Sequence, residues 1–121
     1  MLRLSEAMRL GALLKPQGFG KLYDLRSKGT CAFGAAFDAI GRLHEAVLQC
    51  GNLDTEWQPL IDTIVVCPHC DRVRGPLESM VVHLNDGHQW TRERIANWVE
   101  TIEGRAPPAS PEAQVAASSC A

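Results

Sequence analysis

Cys67-Pro68-His69-Cys70 is followed, twelve residues on, by His83-Leu84-Asn85-Asp86-Gly87-His88, a C-x2-C-x12-H-x4-H spacing. Two thiolates two residues apart on a tight turn, with two imidazoles spaced for the end of a helix, can close a tetrahedral Cys₂His₂ shell around one Zn²⁺. The competing reading, a small redox pair with two surface histidines, is the weaker one, because both pairs and the loop between them match the finger template. Cys67, Cys70, His83 and His88 are therefore the expected metal ligands.

The flanking residues supply a ββα unit. Thr63, Ile64, Val65 and Val66 are β-branched and lead into Cys67 as a first strand. Asp71 to Arg74 should return as the second strand, and Gly75-Pro76 should break it and open a helix with proline in its first turn. Leu77, Met80 and Leu84 fall on one helical face. The four residues between His83 and His88 exceed one helical turn, so Gly87 is expected to let the last turn unwind and His88 swing back.

A shell with four protein ligands leaves no position for water or substrate, so the expected zinc is structural, one per chain, and catalysis is not expected. His69 and Asp71 stand close enough to suggest acid/base work, but no paired catalytic group accompanies them. An HNH-type nuclease built from His83, Asn85 and His88 needs an open metal site and a free histidine, and here both histidines are used as ligands.

The chain has 121 residues, enough for one domain or a small domain with a metal-stapled appendix. Its formal charge is −2 with both signs interspersed, which gives no electrostatic footprint for a nucleic-acid backbone. No signal-peptide apolar region follows Met1-Leu2-Arg3 and no apolar run reaches membrane-spanning length, so a soluble cytoplasmic protein is expected. Cys31, Cys50 and Cys120 are an odd remainder after the finger pair; reduced thiols are expected, with Cys31 and Cys50 packed as small hydrophobes.

Upstream of the finger, Ser5 reads as the N-cap of a helix running to about Leu14. Pro16-Gln17-Gly18-Phe19-Gly20 is a loop in which Phe19 should plug the core, and Leu22, Tyr23 and Leu25 suggest a short strand before a Ser27-Lys28-Gly29 turn. Thr30 should cap a buried helix with Phe33, Ala36, Phe37 and Ile40 on one face and Gly41 after its end. Its small residues, Cys31 to Ala36, permit close approach of another backbone. Leu43, Ala46, Val47 and Cys50 suggest a third helix, with His44 at the surface, and Trp57 should anchor the two parts together.

After His88, Thr91 caps a last helix with Ile95, Trp98, Val99 and Ile102 on its apolar side. That stripe exceeds what a lone finger can cover. Ile95, Val99 and Ile102 are expected inside, while Trp98, Trp90 and the tail are expected to meet a partner chain. The Pro/Ala/Ser-rich residues after Gly104 have the composition of a disordered segment. The expected class is α+β: a helical part over 1–56, a finger with its trailing helix over 57–104, and a low-complexity tail over 105–121.

Taken together, Ser5-Glu6-Ala7-Met8-Arg9-Leu10-Gly11, Lys15-Pro16-Gln17-Gly18-Phe19-Gly20, Cys31-Ala32-Phe33-Gly34-Ala35-Ala36 and the His83 to Trp98 segment resemble, over roughly residues 4 to 104, small single-finger proteins of tailed bacteriophages and prophages. The resemblance implies a phage or bacterial setting and supplies no mechanism; within that setting the expected place is the bacterial host cytoplasm or a phage particle, and the expected partners are other protein chains, such as head, neck or tail proteins. More distantly the finger is similar to the Ros/MucR type of bacterial regulator, but the basic flanks of that type are missing. The expected function is thus a zinc-stabilised interaction or assembly protein, with a DNA-binding regulator as the alternative. The base-reading positions of a Cys₂His₂ helix fall here on Pro76, Ser79 and Val82, none of which offers bidentate geometry to a base edge.

Overall fold

A computed structural model of the chain describes residues 2–105. The order of elements is α1 (Leu4–Gly11), the hairpin β1 (Tyr23–Asp24) and β2 (Gly29–Thr30), α2 (Ala32–Ala39), α3 (Leu43–Leu48), a 3₁₀ turn (Leu60–Asp62), the hairpin β3 (Ile64–Val66) and β4 (Arg74–Pro76), α4 (Leu77–Val82), a π turn (His83–Gly87) and α5 (Arg92–Arg105). Both hairpins are antiparallel. The class is α+β. Among the described residues no helix is long and apolar enough to cross a membrane.

The small residues of α1 and α2 set how closely those helices cross. A Cβ built on Gly11 would stand 1.7 Å from the Ala35 carbonyl oxygen, and one built on Gly34 would stand 2.0 Å from the Leu22 carbonyl oxygen. Backbone therefore touches backbone at both places, as the run of small residues led us to expect. Cys31, not Thr30, caps α2, its Sγ accepting from the Gly34 N–H at 3.4 Å. Thr30 belongs to β2 instead, and its hydroxyl accepts from the buried Arg92 guanidinium at 2.9 Å.

Helix α1 also differs from expectation at both ends. Its N-cap is Arg3, whose N–H donates to the Glu6 carboxylate at 2.9 Å. Ser5 lies inside the first turn, fully buried, and Glu103 of α5 accepts both its N–H (3.0 Å) and its hydroxyl (2.6 Å). A carboxylate from the other end of the chain thus satisfies an orphan N–H of α1. The helix stops at Gly11, where Leu13 and Leu14 close i→i+3 bonds to Leu10 and Gly11. Phe19 does not plug the core: it is 45% exposed.

One buried cluster runs from Leu4 through Phe33, Phe37, Trp57, Leu77 and Leu84 to Ile102. Helix α5 lays Ile95, Val99 and Ile102 into it and packs on α1 and α2, while α4 packs on α2. The core therefore crosses the 56/57 boundary. Trp57 joins the parts as expected, with its ring 5.7 Å from Phe37 and its Nε1–H donating to the Leu2 carbonyl at 3.1 Å. Arg9 reaches across to Asn97 at 2.7 Å and pairs with Glu100. Of the α3 stripe only Ala46 is buried. Cys50 is exposed and has a left-handed backbone (φ 54), against the expectation of a packed small hydrophobe. Cys120 and the rest of the 106–121 tail lie outside the described residues.

Candidate metal centre

Strand β3 delivers Cys67 into the core, and the chain turns at once. The His69 and Cys70 N–H groups point at the Cys67 sulfur at 3.4 and 3.5 Å, and the Asp71 N–H bonds to the Cys67 carbonyl at 3.1 Å. Asp71 sits at φ 57, a left-handed backbone that the acidic side chain tolerates. This knuckle consumes residues expected in the return strand. Strand β4 begins only at Arg74 and includes Gly75 and Pro76, paired as Val66↔Arg74, Val65↔Gly75 and Ile64↔Pro76. Proline fits because a two-stranded hairpin is all edge, where a missing N–H costs nothing. Pro76 is then the N-cap of α4, one residue before its first turn.

The two histidines are five residues apart, which on an α-helix separates their directions by about 140°. A π turn resolves this. The His88 N–H bonds to the His83 carbonyl at 3.2 Å, an i→i+5 closure, and His88 comes round to the same side as His83. Gly87 is not the hinge that was expected. The left-handed residue is Gln89 at φ 55, and a Cβ at Gly87 would meet the His83 ring only at ordinary contact, 3.5 Å.

Cys67, Cys70, His83 and His88 bring one ligand atom each to within 4.8 Å of one another. The Cys70 sulfur and His83 Nε2 are 3.8 Å apart, and the two imidazoles stand nearly perpendicular with centroids at 4.6 Å. In a tetrahedral shell with ordinary metal–sulfur and metal–nitrogen lengths, ligand atoms lie about 3.3–3.8 Å apart. A closing movement of roughly 1 Å brings the widest pair into that range. The His88 Nε2 is buried and has no hydrogen-bond partner, a state that costs free energy unless something is coordinated there. The Arg72 backbone N–H, with a hydrogen bond from His83, holds the Cys70 thiol down to about 6. The group could hold a metal ion, and with four protein ligands it offers no open position.

Around the ligands stands a layer that spacing could not reveal. His69, exposed on the knuckle, stacks on the His88 ring at 4.0 Å and accepts from the Trp90 Nε1–H at 3.0 Å. The Arg94 guanidinium lies 3.7 Å from the Trp90 ring centroid. Trp90 is thus 7% exposed and engaged within the chain, and its ring does not stand free for a partner as expected. Trp98 is half-buried against the core and keeps part of its ring at the surface. Asn85 is buried and clips a loop, donating to the Gly18 carbonyl at 3.1 Å and to Asp86 at 2.7 Å, and accepting from Gln17 at 3.1 Å.

Cys31 is buried, and burial pushes its thiol pKa up, which leaves it the inert packed residue expected. His44 is exposed and outside the ligand group. No protein-family model, curated protein or solved structure matches this chain.

Proposed function

We propose that Cys67, Cys70, His83 and His88 hold one structural Zn²⁺, and that the chain is a non-enzymatic interaction or assembly protein, with a minor component of a tailed-phage particle as the form this would take in the phage setting its sequence resemblance implies. The observation that carries the metal reading is the convergence of all four donors around the buried, unpartnered His88 Nε2. Two thiolates and two imidazoles suit zinc, and a complete shell has no site for a substrate. The layer formed by His69, Trp90 and Arg94 supports the same reading, since an outer shell normally orients metal-binding imidazoles.

The interaction reading rests on what the chain offers once its core is covered. Trp98 keeps a partly exposed ring on α5, beside a surface of mixed charge. The regulator alternative has less support: Pro76, Ser79 and Val82 are exposed but cannot form bidentate contacts with bases.

Native mass spectrometry of the purified chain is expected to show one zinc per chain, and a gel shift near physiological salt only weak, sequence-indifferent DNA binding. A selective complex tighter than about 10⁻⁷ M overturns the assembly reading in favour of the regulator. Trp98→Ala is expected to leave the chain folded and reduce its retention on purified particles. Unchanged retention removes Trp98 from the docking surface.

A further inference from the structure

A cleft of about 500 Å³ opens between α2, α4 and the segment around Trp57, away from the metal ligands. Phe33, Phe37, Trp57, Ile61 and Val81 make its walls largely apolar, and the volume lies in the range of small-molecule sites. Helix α4 places one carboxylate, Glu78, in the same lining. Glu78 is half-buried, and among the described residues no hydrogen bond or ion pair engages its side chain. Burial and the neighbouring Asp62 carboxylate push its pKa up. Asp86 also faces the cleft, with the Gly20 N–H and the Asn85 amide both on its Oδ1, at 2.9 and 2.7 Å. Lys21 lines the mouth, is exposed, and makes no ion pair among the described residues.

A carboxylate half-buried among aromatic and branched side chains has lost part of its water without gaining a cation, and an incoming cation offsets that loss. An anion would meet Glu78 and Asp86 unfavourably, and a neutral apolar guest would desolvate Glu78 further without compensation. We propose that this cleft binds a small organic cation: a primary ammonium carried on an aromatic or branched apolar group, the apolar part lying against Phe33, Phe37 and Trp57 and the ammonium on Glu78. Recognition then has two parts. The walls contribute through burial of apolar surface, and the single charge-assisted hydrogen bond selects the sign of the guest. The inference stands apart from the metal reading, since none of the four ligands lines the cleft.

The test is a titration of the full-length chain with 2-phenylethylammonium, followed by the amide shifts of Phe33, Phe37, Glu78 and Val81 and by Trp57 indole shifts. The expected result is a saturable response at these residues. Two guests of the same shape, neutral 2-phenylethanol and anionic 3-phenylpropanoate, are expected to bind about tenfold more weakly or worse. Glu78→Gln should bring the ammonium down to the affinity of the alcohol while the rest of the spectrum stays in place. Equal responses to all three guests, shifts centred elsewhere, or an ammonium affinity unchanged in Glu78→Gln overturns the proposal.

Discussion

At the scale of single residues, His88 makes the sharpest demand on its surroundings. Its Nε2 is buried and unpartnered, while its ring is fixed by the stack with His69, which Trp90 in turn holds through its indole N–H. Trp90→Phe deletes that N–H and keeps an aromatic ring, so zinc affinity measured by chelator competition is expected to fall by about tenfold, the lower end of outer-shell effects. An unchanged affinity would show that the His69 stack does not orient His88. Glu78 tests burial in the opposite sense. Its pKa in the folded chain is raised above the ordinary 4.5, so the folded state holds the proton more tightly than the unfolded one. Stability therefore falls as pH rises from below 4.5 through the raised value. Glu78→Gln removes that loss. Urea midpoints of the variant are expected to exceed those of the parent at pH 7 and to match them near pH 3; a midpoint below the parent's at pH 7 would mean that the first-turn charge helps α4 more than burial harms it.

At the scale of elements, the contact between α1 and α2 is set by absent side chains. Gly11→Ala forces a methyl against the Ala35 carbonyl, where 1.7 Å is available and no flexible side chain can yield. The expected loss is about 1–3 kcal/mol or more in a denaturant titration. Gly104→Ala is the matched control: nothing lies within 4 Å of its added methyl, and removing a helix glycine should be neutral or stabilising by up to about 1 kcal/mol. If both variants behave alike, the close crossing is wrong. The start of α5 is held differently. Arg92, 7% exposed, donates to the Thr30 hydroxyl, to the Lys15 carbonyl at 2.8 Å and to the Ala12 carbonyl at 3.4 Å, with no carboxylate among its partners. Arg92→Leu leaves those acceptors unmet and is expected to cost about 1–3 kcal/mol.

At the scale of the molecule, the question is how far metal loss spreads. A ββα finger alone has too little core to fold without its ion, which by itself predicts melting confined to residues 63–90. Here the finger helix and α5 share one buried cluster with α1 and α2. Chelation is therefore expected to lower the thermal midpoint and to raise amide exchange first across 63–90, then along α5 and into α1, whose Ser5 loses its Glu103 clamp when α5 loosens. Exchange that stops at residue 90 would show two separable units. A midpoint indifferent to chelator would remove the metal reading.

The convergent Cys/His group that could hold a metal, the α+β class and the faces of α2, α4 and α5 were legible in the chain because each is a local property: spacing of cysteines and histidines, or apolar residues recurring at a helical period. Pairings distant in sequence were not. Ser5 has the chemistry of an N-cap, yet a carboxylate 98 residues away takes it into the interior; Thr30 likewise yields its cap to Cys31 because Arg92 claims its hydroxyl. Gly75-Pro76 reads as a break, and becomes strand because the knuckle uses up the residues before it. His88 comes beside His83 through a π turn that no propensity announces, closed by the His88 N–H on the His83 carbonyl. By itself, then, the sequence determined which residues could ligate, cap or pack, through their chemistry and period. The tertiary structure decided which of those abilities each residue exercises, because buried donors and acceptors must be satisfied by whatever the folded chain brings beside them.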